Sequence, residues 1–147
     1  MINIGIIGCG RIADHHCEAI KNISNLKISA VCDLNYMKAK ELANKFKTTA
    51  YKNYHQMLNE RKEINLVVII TPSGMHYEHS VDIIKKYKKS IVVEKPTFLK
   101  SNEVKKVYEL AKKNKIKLFP IFQNRYNKAV KKVKRSLGAG VLGNIRT

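Results

Sequence analysis

The chain has no tryptophan and only 3 cysteines, 3 prolines and 7 glycines in 147 residues. Gly and Pro at that level exclude a collagen-like repeat or a Gly/Pro-rich disordered chain. Cys9, Cys17 and Cys32 are too few and too early for a disulfide framework, and no Cys/His spacing resembles a zinc site; reduced thiols and no metal are expected. No apolar run reaches the roughly 18 residues of a membrane span. The opening Met1-Ile2-Asn3-Ile4 lacks a basic segment before its apolar run, which leads to a cytoplasmic protein with no membrane partner. Acidic residues are scarce, 11 against 29 Lys and Arg, for a net charge of +18. That excess raises nucleic acid as a partner. Arginine, the usual reader of bases and phosphates, is also scarce, and the lysines between Lys100 and Arg135 alternate with apolar positions as on a solvated helix face. Most of the charge is therefore read as solubilising.

What is present is an alternation of two kinds of segment. Short apolar, β-branched runs occur at Ile2 to Ile7, Lys27 to Cys32, Leu66 to Ile70, Ser90 to Val93 and Leu118 to Phe122, with a weak strand at Thr49 to Tyr51. Helical spacing fills Arg11 to Asn22, Tyr36 to Phe46, Tyr54 to Leu58, Ser73 to Ile84, a helix capped by Ser101, and Lys128 to Leu137. Val104, Val107, Tyr108 and Ala111 form the expected buried face of the fifth helix, and Ala129, Val130, Val133 and Leu137 that of the last. Strands apolar on both faces and separated by helices predict an α/β fold, a doubly wound parallel sheet with helices on both sides. Residues 1–122 form the sheet domain; residues 123–147 add a helix and the start of a strand at Ile145.

The first strand runs into Gly8-Cys9-Gly10-Arg11-Ile12-Ala13, a G-x-G-x-x-A turn. Gly8 permits the tight turn, Gly10 admits a pyrophosphate to the backbone, and Ala13 lets the helix pack close to the sheet. The amides of this turn and the positive helix end then meet the phosphates. Cys9 is read either as a small residue whose N–H faces phosphate or as a redox-sensitive thiol. The second strand delivers Asp33 to its carboxyl end, where a carboxylate accepts the ribose hydroxyls and repels a 2′-phosphate, so NAD is favoured over NADP. Lys38, the nearest base, is expected to point to solvent. Two later strands end in Thr71-Pro72-Ser73-Gly74-Met75-His76 and Glu94-Lys95-Pro96. Glu94 suits ribose hydroxyls, and Lys95 a substrate hydroxyl. His15 and His16 are expected to flank the cofactor's entry, and His55 and His79 to form no constellation with carboxylates.

Together these motifs resemble the Gfo/Idh/MocA family of NAD(P)-dependent oxidoreductases acting on sugars and polyols. The tail Gln123-Asn124-Arg125-Tyr126-Asn127 with Leu137-Gly138 and Leu142-Gly143-Asn144-Ile145 is similar to the branch that oxidises the 3-hydroxyl of UDP-N-acetylglucosamine or its uronic acid. The resemblance implies a Rossmann domain for NAD and a second α+β domain, absent from this sequence, that carries substrate contacts, oligomer contacts and a catalytic histidine. The fragment alone is then expected to be inactive and the full protein a homo-oligomer. The resemblance places Thr71, Pro72, Ser73 and His76 near the cofactor; as residues alone, Ser73 could be a helix cap and His76 an exposed first-turn residue. It makes Lys95 the catalytic residue of this half, relaying or orienting a proton, because a lysine serves as a base near neutral pH only where its surroundings lower a pKa of about 10.4. Gln123, Asn124 and Arg125 are substrate candidates, Arg125 either gripping a diphosphate or carboxylate or pairing with an acid of the second domain. The competing reading is a non-catalytic NAD(H)-binding or basic nucleic-acid-binding module.

Overall fold

A computed structural model describes residues 1–144. Six strands, β1 (Ile2–Ile7), β2 (Leu26–Cys32), β3 (Thr49–Tyr51), β4 (Leu66–Ile69), β5 (Ser90–Val93) and β6 (Leu118–Pro120), pair in the order β3-β2-β1-β4-β5-β6. Every pairing is parallel. The chain winds outward from β1 in one direction, then returns to β4 on its other side and winds the opposite way. A crevice opens above the carboxyl ends of β1 and β4, where strand order reverses.

The helices are α1 (Ala13–Lys21), α2 (Tyr36–Phe46), α3 (Tyr54–Glu60), α4 (His76–Asp82, entered by a 3₁₀ turn and extended by a π turn to Tyr87), α5 (Ser101–Lys113) and α6 (Lys128–Gly138). Side-chain caps set several starts. Asn35 accepts from the Met37 N–H, Asn53 from His55 and Asn127 from Ala129. Each face of the sheet carries its own core. One packs β-strand side chains against Met57, Leu58, Ile83, Ile84, Val107 and Ala111 of α3 to α5; the other packs them against Ala13, Cys17, Ala39 and Leu42 of α1 and α2. Burial on both faces explains why the strands read as continuous apolar runs.

Three expectations need correction. The first helix starts at Ala13 rather than Arg11, because the Ala13 N–H closes a turn on the Gly10 carbonyl. Ser101 lies inside α5; Lys100 is the cap residue, and the Glu103 carboxylate accepts the Leu99 and Lys100 N–H groups. Of the expected apolar faces, Val107 and Ala111 are buried, but Val104 and Tyr108 are exposed, roughly 60° and 100° round the helix from Val107. In α6 no residue is buried, and the expected Ala129, Val130, Val133 and Leu137 face is exposed. The strand expected at Ile145 lies outside the described residues.

Candidate functional site

The site begins where β1 turns into α1. Gly8 has φ +99°, and a Cβ there would sit 2.7 Å from the Ile70 carbonyl oxygen, so only glycine fits beside the end of β4. Gly10 has the opposite surroundings, with nothing within 4 Å of where a Cβ would stand. Ala13, the first residue of α1, is fully buried against the sheet. The turn's amides divide into two sets. Gly8 donates to the Cys32 carbonyl, and Cys9 donates to Asp33 Oδ2 at 2.7 Å. The Cys9 N–H is thus occupied by protein, which corrects the expectation that it faces phosphate. The amides of Gly10, Arg11 and Ile12 have no protein acceptor among the described residues. Three unpaired N–H groups at the positive end of a helix, beside an open approach at Gly10, fit a diphosphate.

Asp33 leaves β2 with both carboxylate oxygens fastened, Oδ2 by Cys9 and Oδ1 by the Asn35 N–H at 2.8 Å. Held this way, it lines a cleft of about 350 Å³ together with Gly8, Gly10, Leu34, Lys38, Thr71 and Pro72. Lys38 is exposed, yet it lines this cleft and the neighbouring one rather than pointing away. Ile70, Met75, Tyr54 and His79 also line the cleft and were missed in the sequence. Ile70, Met75 and Tyr54 share a signal of position, each following the carboxyl end of a strand or leading into the helix after it, whereas His79 lies within α4.

Across the crevice, His76 is 1% exposed. Its Nδ1 lies 2.9 Å from the Pro96 carbonyl oxygen and its Nε2 2.7 Å from that of Thr71. A neutral ring donates to one of these oxygens and an imidazolium to both. This corrects the exposed reading: buried and engaged at both nitrogens, His76 ties the Thr71-Pro72 loop to the Lys95-Pro96 loop. Ser73 lies within the 3₁₀ turn, whose cap is Pro72, so it is not the helix cap. Glu94 is bound at both oxygens, Oε1 by His16 Nε2 at 3.1 Å and Oε2 by the Lys95 N–H at 2.6 Å. Lys95 is exposed and shares a cavity of about 320 Å³ with Phe122, Gln123, Asn124 and Arg125. The Arg125 guanidinium lies 4.8 Å from the Phe122 ring centre.

Burial shapes the remaining titratable groups. It pushes the thiols of Cys9, Cys17 and Cys32 up to about 12, with Asp33 adding to the shift at Cys9 and Cys32 and Asp14 at Cys17. Burial thus disfavours the thiolate form through which Cys9 would be oxidised. His55 lies beside one carboxylate, whereas His79 Nδ1 lies 3.1 Å from the Thr71 hydroxyl. His55 Nδ1 lies 3.6 Å from Asp82 Oδ2 and 2.6 Å from the Tyr87 hydroxyl, and Asp82 also accepts from Tyr54. Among the described residues no three His, Cys, Asp or Glu side chains gather as metal ligands.

The reversed strand order, the glycine turn and the acid closing β2 define a dinucleotide-binding Rossmann domain. Residues 2–122 match the oxidoreductase family, NAD-binding Rossmann fold. The chain belongs to that family, Gfo/Idh/MocA, as its NAD-binding domain. It is 31% identical over 143 residues to myo-inositol 2-dehydrogenase of Thermotoga maritima, covering 97% of this chain and 42% of that protein. Among solved structures it superposes on the WlbA dehydrogenase of Bordetella pertussis, in complex with NADH and UDP-GlcNAcA, with TM-score 0.90 and 26% identity. The match covers 98% of this chain and 44% of that one. The myo-inositol 2-dehydrogenase of Lactobacillus plantarum gives TM-score 0.87 at 25% identity, over 98% and 43% of the two chains. The chain thus spans less than half the length of these relatives.

Proposed function

We propose that this chain is the cofactor half of an NAD-dependent oxidoreductase acting on a hydroxyl of a sugar or nucleotide-sugar. One observation carries the cofactor part: the Gly10, Arg11 and Ile12 amides are unpaired beside a carboxylate, Asp33, that the same turn holds in place through Cys9. These residues bind the diphosphate and orient the adenosine ribose. Bound NAD supplies the two-electron acceptor, in its nicotinamide ring. Glu94 accepts hydroxyls of the second ribose, and Thr71 and Pro72, which line the Asp33 cleft, flank the cofactor with Ser73 beside them.

On the substrate side, Lys95 orients the reacting hydroxyl and moves its proton at Nζ, with the final base outside this chain. Gln123, Asn124 and Arg125 line the same cavity as Lys95, which supports a shared substrate pocket. Arg125, braced over Phe122, suits the diphosphate or carboxylate of a nucleotide-sugar. WlbA's complex with a nucleotide-sugar uronic acid and NADH supports that substrate class. Myo-inositol dehydrogenases among the relatives support a simple polyol equally. This domain alone then binds NADH and turns over no substrate.

Calorimetric titration tests the cofactor reading. NADH is expected to release heat of binding, NADPH much less, and Asp33→Ala is expected to weaken NADH while narrowing that preference. Absence of heat with NADH in the parent, or an Asp33→Ala variant indistinguishable from it, overturns the reading.

A further inference from the structure

We infer that His16 is a positioning residue for Glu94, fixing the carboxylate that faces the nicotinamide-side ribose; the inference rests on the cofactor reading above. His16 lies on α1, one turn beyond the unpaired amides, with its own N–H bonded to the Ile12 carbonyl. Its Nε2 reaches Glu94 Oε1 at 3.1 Å, across 78 residues of sequence. A carboxylate oxygen only accepts, so the ring nitrogen facing it carries the proton. The two side chains are 18% and 13% exposed, which limits the water that could replace this bond.

Glu94 occupies the end of β5 as Asp33 occupies the end of β2, with the phosphate turn of β1 between them. Both acids are anchored in the same manner, each oxygen taking one protein donor. At Asp33 both donors are backbone amides; at Glu94 one is the Lys95 amide and the other is His16. A carboxylate oxygen held by one donor keeps a lone pair for a sugar hydroxyl. Among the described residues Glu94 pairs with His16 and not with the adjacent Lys95 ammonium. His16 thereby does two things. It aims Glu94 at the ribose, and it keeps that acid from folding back onto the lysine assigned to the substrate hydroxyl.

The test compares two ligands on three proteins. ADP occupies the adenosine and diphosphate positions only, whereas NADH also reaches Glu94. Replacing His16→Leu is expected to weaken NADH about tenfold or more, the scale of one hydrogen bond to a charged group, and to leave ADP affinity unchanged. His16→Gln, which offers a side-chain N–H in place of Nε2, is expected to recover most of the loss. Equal weakening of both ligands would mean a merely structural role, and parent-like NADH affinity in His16→Leu would mean none; either overturns the inference. Failure of the parent itself to bind NADH overturns the cofactor reading beneath it, so the two failures are distinguishable.

Discussion

Two glycines of one turn do different work, and substitution separates them. At Gly8 a methyl group would collide with the Ile70 carbonyl at 2.7 Å and strain a backbone of φ +99°. Gly8→Ala is expected to lower unfolding free energy by roughly 1–3 kcal/mol in urea titrations. Gly10→Ala meets open space. It is expected to unfold near the parent midpoint yet lose NADH, because its methyl fills the approach to the amides. Equal stability losses at the two positions would contradict this division. Both glycines, Ala13 and Asp33 were legible in sequence because spacing after a strand sets their geometry. The His16–Glu94 and His76–Pro96 contacts were not, since each joins a helix residue to the loop after β5, 78 and 20 residues away, and only the sheet order brings those segments together.

Between elements, a polar seam joins α3, α4 and the loop after β4. Tyr54 donates to Asp82 at 3.0 Å, and the Thr71 hydroxyl lies 3.1 Å from His79 Nδ1. Burial, and after it the neighbouring His76, lowers the pKa of His79 from its ordinary 6.5. The unfolded chain then binds protons more readily than the folded one, so His79 contributes stability above pH 6.5 that is lost as pH falls below it. The urea midpoint is expected to drop on moving from neutral pH into that acid range, and to drop less in His79→Gln. An identical pH slope in that variant would remove His79 as the cause. The helix periods were readable, and α2 spans the expected Tyr36–Phe46. What periodicity does not carry is whether anything lies against the apolar stripe. Val107 packs into the core beside α4, whereas Val133 of α6 is left exposed.

For the molecule as a whole, alternating strand and helix dictated the architecture, because a parallel strand needs a crossover and a two-sided sheet needs cover on both faces. Among the described residues no helix is long and apolar enough to cross a membrane. The +18 net charge is concentrated on lysines, while the unpaired amides lie at one point of the crevice. That contrast sets the decisive experiment, NADH titration followed by amide proton–nitrogen correlation spectra. The largest chemical-shift changes are predicted at Gly10, Arg11 and Ile12, with smaller ones around Asp33. Changes confined to the lysine-rich helices α5 and α6, or none at the glycine turn, would contradict the account.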